Sequence, residues 1–194
     1  LQILIKLYND FAIFRDGIYN QTIKYREQVI KLGISEVITD DLLETLKKHY
    51  QLDWYGLHGY NHWLRVRENG LRLAKLNGAN SKIIELFAFT HDNQRLSDSV
   101  DPKHGPRASL FIRNHLVDRL DLTKIEFDIL CEACKTHTGG LRHKDLTVRT
   151  CWDADRLDLM RAGITPNPLL LNTPEARDPE IIQWAIMRSL NGRK

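Results

Sequence analysis

His91 and Asp92 stand side by side at the end of an apolar run that includes Leu86, Phe87, Ala88 and Phe89. His62 precedes them, and Asp155 follows inside Asp153-Ala154-Asp155-Arg156-Leu157-Asp158. One histidine, a His-Asp doublet and a late aspartate supply two imidazoles and two carboxylates. Such a mixed nitrogen and oxygen set suits a divalent transition metal. The chemistry it points to is metal-assisted hydrolysis, in which the ion activates a water and polarises the bond to be cleaved.

Other side chains could serve the same centre. His58 and His62 are spaced i, i+4, as in helical zinc motifs. Gly59 argues that the helix starts after it, which leaves His58 in a preceding turn as a pocket-lining or hydrogen-bonding residue, or as a cap. His104 is followed by Gly105, and His137 precedes Gly139-Gly140, where glycine lets the backbone approach a charged ligand. Arg95 should sit at the pocket rim, where its fork matches phosphate oxygens; the alternative is an arginine facing a helix C-terminus. Arg156 is either catalytic or an ion-pair partner. His49, His115 and His143 lack such context and read as surface or structural residues.

Cys131-Glu132-Ala133-Cys134 is a lone CxxC inside a helical pattern. A zinc site needs a second pair and a thioredoxin-type motif needs a βα context, so these cysteines read as packing residues, with Cys151 buried beside Trp152. The chain carries no Gly-x-Ser-x-Gly elbow, Walker loop or dinucleotide fingerprint.

The elements that must position these groups read as helices nearly throughout. A helical repeat over 20–32 ends at Gly33. Asp40 or Thr39 caps a helix over Leu42–Tyr50. Residues 60–76 form the next helix, ended by Asn77-Gly78. Asn80 or Ser81 caps a helix running into His91-Asp92. Residues 94–106 read as a polar loop, and Pro106 suits the first turn of a helix to about Leu120. Thr123 and Glu126 form a capping-box signature for a helix ending near His137. Leu146–Ala162 reads as one helix, and Asp178-Pro179 opens a last one to about Leu190. The best strand candidate, Ile34–Ile38, is short, so the fold class expected is all-α.

The chain has 194 residues, 42% hydrophobic and 27% charged, with a net charge of +3. One domain with appendages is expected. The mild positive charge fits an anionic small substrate, and without a dense Lys/Arg block there is no strong nucleic-acid signal. Lys6, Asn9 and Asp10 break the apolar start, no long apolar stretch suggests a membrane span, and three cysteines cannot all pair. A reducing cytoplasm is the compartment expected.

Taken in order, His62-Trp63-Leu64-Arg65-Val66, His91-Asp92, His104-Gly105 and Asp153-Ala154-Asp155-Arg156-Leu157-Asp158 resemble the HD superfamily of metal-dependent phosphohydrolases. The match spans roughly residues 55–162. The resemblance implies an HD-domain helical bundle over 51–165, with a helical extension over 1–50 and another over 166–194 packing on the core. It also implies His62, His91, Asp92 and Asp155 as metal ligands. Asp153 and Asp155 lie about 200° apart on a helix, so they face nearly opposite ways. The family register selects Asp155, which leaves Asp158 to orient a ligand or pair with Arg156.

On this reading the ion is manganese, iron, cobalt, nickel or zinc. Asp92 ligates it and accepts a proton, while Arg95, His104, His137 and Arg156 gather the phosphate charge. In some members of the superfamily, histidines comparable to His104 and His137 hold a second metal. The phosphate role is preferred here because the nearest acids in sequence, Asp101 and Glu132, are poorly placed to balance another dication. The expected partner is a small phosphorylated substrate, a nucleotide first by analogy. The alternatives are a two-metal phosphodiesterase or oxidase of the same fold, and a non-catalytic, metal-stabilised module that binds a nucleotide.

Overall fold

The computed structural model describes residues 35–191. The expected helix over 20–32 lies outside the described residues. The chain divides into two compact units between Thr39 and Asp40, and the candidate site residues all belong to the second. Seven α-helices succeed one another there: α1 (Asp40–His49), α2 (Tyr60–Asn77), α3 (Ser81–Thr90), α4 (His104–Phe111), α5 (Lys124–Thr136), α6 (Leu146–Arg156) and α7 (Pro179–Asn191). No strand occurs among the described residues, so this part of the chain is all-α, and Ser35–Ile38 is turn, not strand. No described helix is long and apolar enough to cross a membrane. Helix α1, expected as part of the N-terminal extension, falls in the second unit.

The innermost element is α3. Every residue from Ile83 to Thr90 is buried, as expected of a helix that is apolar all round. Its start is fixed by Asn80, whose side chain accepts from the Lys82 and Ile83 amides. Glu85, the one charged residue of the buried run, is met by Arg67 Nε at 2.6 Å. Helix α2 packs along α3 and α6, and α5 closes the other side. The core between them holds Trp63, Phe87, Phe89 and Trp152, none more than 2% exposed. Burying each such side chain contributes roughly 2–3 kcal/mol.

Helix ends differ from the sequence expectation in two places. The helix after Pro106 begins at His104 and passes at Ile112 into a π-helical turn ending at Leu116. Helix α6 ends at Arg156, and a short 3-10 turn, Leu159–Ala162, replaces its expected last turns. At the break the Asp158 carboxylate is buried and bonded by His62, Arg65 and Ser189, all from other helices. The expected Thr123 capping box is present, with Glu126 reaching back to the Thr123 amide.

Helix α7 packs on this core. Ile181, Ile182 and Ala185 join Leu73, Leu157, Leu171 and Ala176 in one apolar cluster. Asp153, buried on α6, fastens the preceding segment by accepting from the Asn172 and Thr173 amides, each at 2.7 Å.

Candidate metal centre

The candidate ligand residues all lie at helix ends. His62 lies in the first turn of α2, and His91 and Asp92 follow the last turn of α3. His104 opens α4, His137 caps α5, and Asp155 lies in the last turn of α6. Gly105 makes one meeting of these ends possible. A Cβ there would lie 2.7 Å from the Cys134 carbonyl oxygen and 3.2 Å from His137 Nδ1. The glycine of His104-Gly105 therefore lets helix approach helix and sets His104 against His137; it does not open the backbone to a ligand.

Each of the four histidines has Nδ1 committed. His62 Nδ1 donates to Asp158 Oδ2 at 2.7 Å. His91 Nδ1 donates to the Phe87 and Ala88 carbonyls, both at 3.1 Å. His137 Nδ1 donates to the Cys134 carbonyl at 2.7 Å, and His104 Nδ1 to that of Asp101. These bonds assign a proton to Nδ1 and leave Nε2 as the nitrogen that can meet an ion in every ring. The four Nε2 atoms point inward in two pairs: His62 faces His91 at 3.2 Å, and His104 faces His137 at 2.7 Å.

Asp92 lies between the pairs. Its Oδ2 is 3.6 Å from His62 Nε2 and 3.7 Å from His91 Nε2. Its Oδ1 is 3.1 Å from His104 Nε2 and 3.7 Å from His137 Nε2. Asp155 Oδ1 completes the first group, 3.4 Å from His62 Nε2 and 3.7 Å from His91 Nε2. The acid that His104 and His137 lack in sequence is thus supplied by Asp92, which removes the premise for preferring a phosphate role for them.

The donor set fits a divalent cation. Ligand atoms about 2.0–2.2 Å from a common ion stand roughly 3.0–3.5 Å apart, close to the spacings here. Among the described residues, three overlapping groups could hold a metal: His62, His91 and Asp92; Asp92, His104 and His137; and His91, His137 and Asp155. Asp155 Oδ1 is buried without a hydrogen-bond donor. A buried carboxylate oxygen left so is costly unless a cation meets it. Asp92 also follows the C-terminus of α3, where the helix dipole disfavours an anion and favours a cation.

The electrostatics carry the same mark. Burial alone would push the His91 imidazole down, but Asp92 and Asp155 outweigh it and raise its pKa. Burial, then Arg161, pushes the His62 imidazole down to about 4. Burial works against ionisation of Asp92 and Asp155, yet the histidines around them hold both carboxyls below the usual range. Without a metal, the cluster's negative charge draws a proton to His91, where an ion would otherwise compensate it.

The remaining expected residues are spread more widely. Arg95 is buried, not at the rim; it donates to the Ser97 carbonyl at 3.2 Å and the Ser99 carbonyl at 2.8 Å. Its Nη1 lies 3.6 Å from Asp92 Oδ1. Arg156 donates to the Leu170 carbonyl at 3.1 Å and to the Gly140 carbonyl, joining two loops. Asp158 orients His62, as expected, but its arginine is Arg65, through Nε at 2.7 Å and Nη2 at 3.0 Å. His58 precedes α2, is buried, and bonds Asp98 at 2.9 Å. His49 is half-buried against Phe111 and His115, and His143 lies against Trp152.

Sequence reasoning misses Arg161. It donates to the Leu57 carbonyl through Nε, and its Nη2 lies 3.9 Å from Asp155 Oδ1. No spacing signal marks it, because it follows the unexpected break after α6. Asp155 is the ligand candidate that reaches the surface, with 19% of its side chain exposed against 3% for Asp92. Access to the centre is therefore past Asp155. No family model, no curated protein and no solved structure matches this chain.

Proposed function

We propose that the chain is a metal-dependent phosphohydrolase of HD type, built around a pair of divalent ions that share Asp92. The observation that carries the reading is the position of Asp92, whose two carboxylate oxygens face two different histidine pairs. His62, His91, Asp155 and Asp92 Oδ2 would hold one ion, and His104, His137 and Asp92 Oδ1 the other. When bound, the ions would lower the pKa of a coordinated water and polarise a phosphoryl oxygen. Imidazole and carboxylate ligands favour manganese, iron, cobalt, nickel or zinc over magnesium.

The chain's own residues do the rest. Asp92, facing a histidine pair with each oxygen, would help hold both ions and would not be free to act as a base. Asp155 is the carboxylate placed where substrate and water arrive. Arg95 and Arg161 stand beside these two carboxylates and limit the negative charge that an anionic substrate meets. Thr138, exposed and with its hydroxyl 3.3 Å from His104 Nε2, offers a hydrogen bond beside the second histidine pair.

A small phosphoester is the substrate class this supports, with nucleotides first on the sequence resemblance. The test is a turnover screen of phosphomonoesters, nucleoside mono- and triphosphates and cyclic dinucleotides with manganese, iron or cobalt added. Release of phosphate, or opening of a cyclic diester, that is lost in Asp92→Ala is expected. A fully metal-loaded protein inert toward the whole panel would instead favour the nucleotide-binding module.

A further inference from the structure

The face that α7 turns inward comprises Ile181, Ile182, Ala185 and Ser189. The three apolar members close on Leu73, Leu157, Leu171 and Ala176. Ser189 is wholly buried and carries the one hydroxyl on this face. That hydroxyl donates to Asp158 Oδ1 at 2.6 Å. The same carboxylate takes Arg65 Nε on Oδ1 at 2.7 Å, and on Oδ2 it takes Arg65 Nη2 at 3.0 Å and His62 Nδ1 at 2.7 Å. A continuous hydrogen-bonded path thus runs from the last helix, through Asp158, to a ring whose Nε2 faces His91 and Asp155.

The direction of this path matters. The orientation of a ligating imidazole follows the carboxylate that receives its other N–H, and that carboxylate is only as fixed as its own donors. Arg65 holds Asp158 from α2, the helix that carries His62. Ser189 holds it from a different helix, through a short side chain with little freedom. Apolar packing would have docked α7 equally well with alanine at this position. A buried hydroxyl is retained where its hydrogen bond is made, and here it is made to a group that orients the ligand.

We propose that Ser189 is a positioning residue of the metal centre. Its hydroxyl fixes the Asp158 carboxylate, Asp158 fixes His62, and docking of α7 is thereby coupled to metal uptake. The inference rests on the reading that His62, His91, Asp92 and Asp155 hold an ion. Coupling of this kind is reciprocal, so the ion must tighten α7 as much as α7 tightens the ion.

The experiment uses the full chain and Co2+ alone, followed by its visible absorption and by hydrogen exchange. Ser189→Ala is expected to bind Co2+ about tenfold more weakly, with an altered band. Ile182→Ala, which removes packing from the same helix two turns away, should lower the melting temperature while leaving Co2+ affinity and spectrum unchanged. In the unaltered protein, Co2+ should slow amide exchange in the last two turns of α7. Wild-type affinity and spectrum in Ser189→Ala would overturn the proposal. If that variant does not fold, exchange in α7 that ignores Co2+ would overturn it instead. A wild-type chain that takes up no Co2+ at all would remove the metal reading itself, and this inference with it.

Discussion

Among the described residues, a histidine-aspartate cluster and a set of three cysteines both carry metal-capable side chains, and the first is the one that could hold a metal. Its four histidines present their Nε2 atoms to one another across Asp92. The three cysteines, Cys131, Cys134 and Cys151, are also wholly buried and lie in the same core. Burial pushes the Cys134 and Cys151 thiols well up, and no cation offsets it. The Cys134 thiol meets the Thr90 hydroxyl at 3.4 Å, but burial outweighs this contact and the thiol keeps its proton. Both clusters contain soft or borderline ligands, but among the described residues only histidines and aspartates come close enough together to share an ion. The outer layer of bonds separates them too: each of the four histidines has a proton tied to the far nitrogen, whereas nothing strips a proton from a cysteine.

The largest effect should come from the group both histidine pairs share. Asp92→Ala is expected to lose essentially all bound metal and all turnover, measured by elemental analysis and phosphate release. Retention of a full metal complement would show that the pairs do not depend on a common carboxylate. The two neighbouring aspartates of α6 should then separate cleanly. Asp155→Ala should weaken metal binding at least about tenfold with little change in metal-free stability. Asp153→Ala should do the reverse, costing about 3 kcal/mol by orphaning buried donors of Asn172 and Thr173 while metal affinity stays as it was. Equal metal loss in both would contradict the facing of the helix.

A smaller effect is expected from pH. The His91 pKa is raised, so in metal-free protein its stabilising contribution is present below the ordinary imidazole value, about 6.5, and is lost as pH rises through the raised value. His62, pushed down to about 4, contributes stability above 6.5 that is lost as pH falls toward 4. The metal-free chain should therefore lose stability on the alkaline side, and added metal should abolish that loss. A metal-free melting temperature that climbs steadily above pH 7 would contradict the proton assignment. Smallest of all, Cys131→Ser with Cys134→Ser should leave metal content unchanged and lower stability by about 1–3 kcal/mol, from buried hydroxyls in apolar surroundings.

How much of this is legible in the sequence depends on distance along the chain. Helix α3 announces itself through an Asn cap and an uninterrupted apolar run, and α5 through its capping box. Both are local signals, and both elements appear where those signals put them. The His62, His91, Asp92 and Asp155 set is legible because residue type and order suffice to suggest a donor set. The break of α6 is not, since the partners of Asp158 there, Arg65 and Ser189, come from other helices. Spacing from Asp92 puts Arg95 at a rim, but spacing carries no sign of the Ser97 and Ser99 carbonyls that fold it inward. The position of Asp92 between the two histidine pairs is hidden for the same reason. A search for acids near His104 and His137 in sequence cannot find one that α3 delivers from the opposite side.

The most direct test of the central claim is the number of ions per chain. Metal-free protein reconstituted with manganese or iron and freed of excess should carry about two, falling to about one in His104→Ala and in His137→Ala, and to none in Asp92→Ala. One ion in the wild type, unchanged in His104→Ala and His137→Ala, would contradict the shared carboxylate and return those two histidines to the phosphate. No ion under any of these conditions would contradict the metal centre altogether.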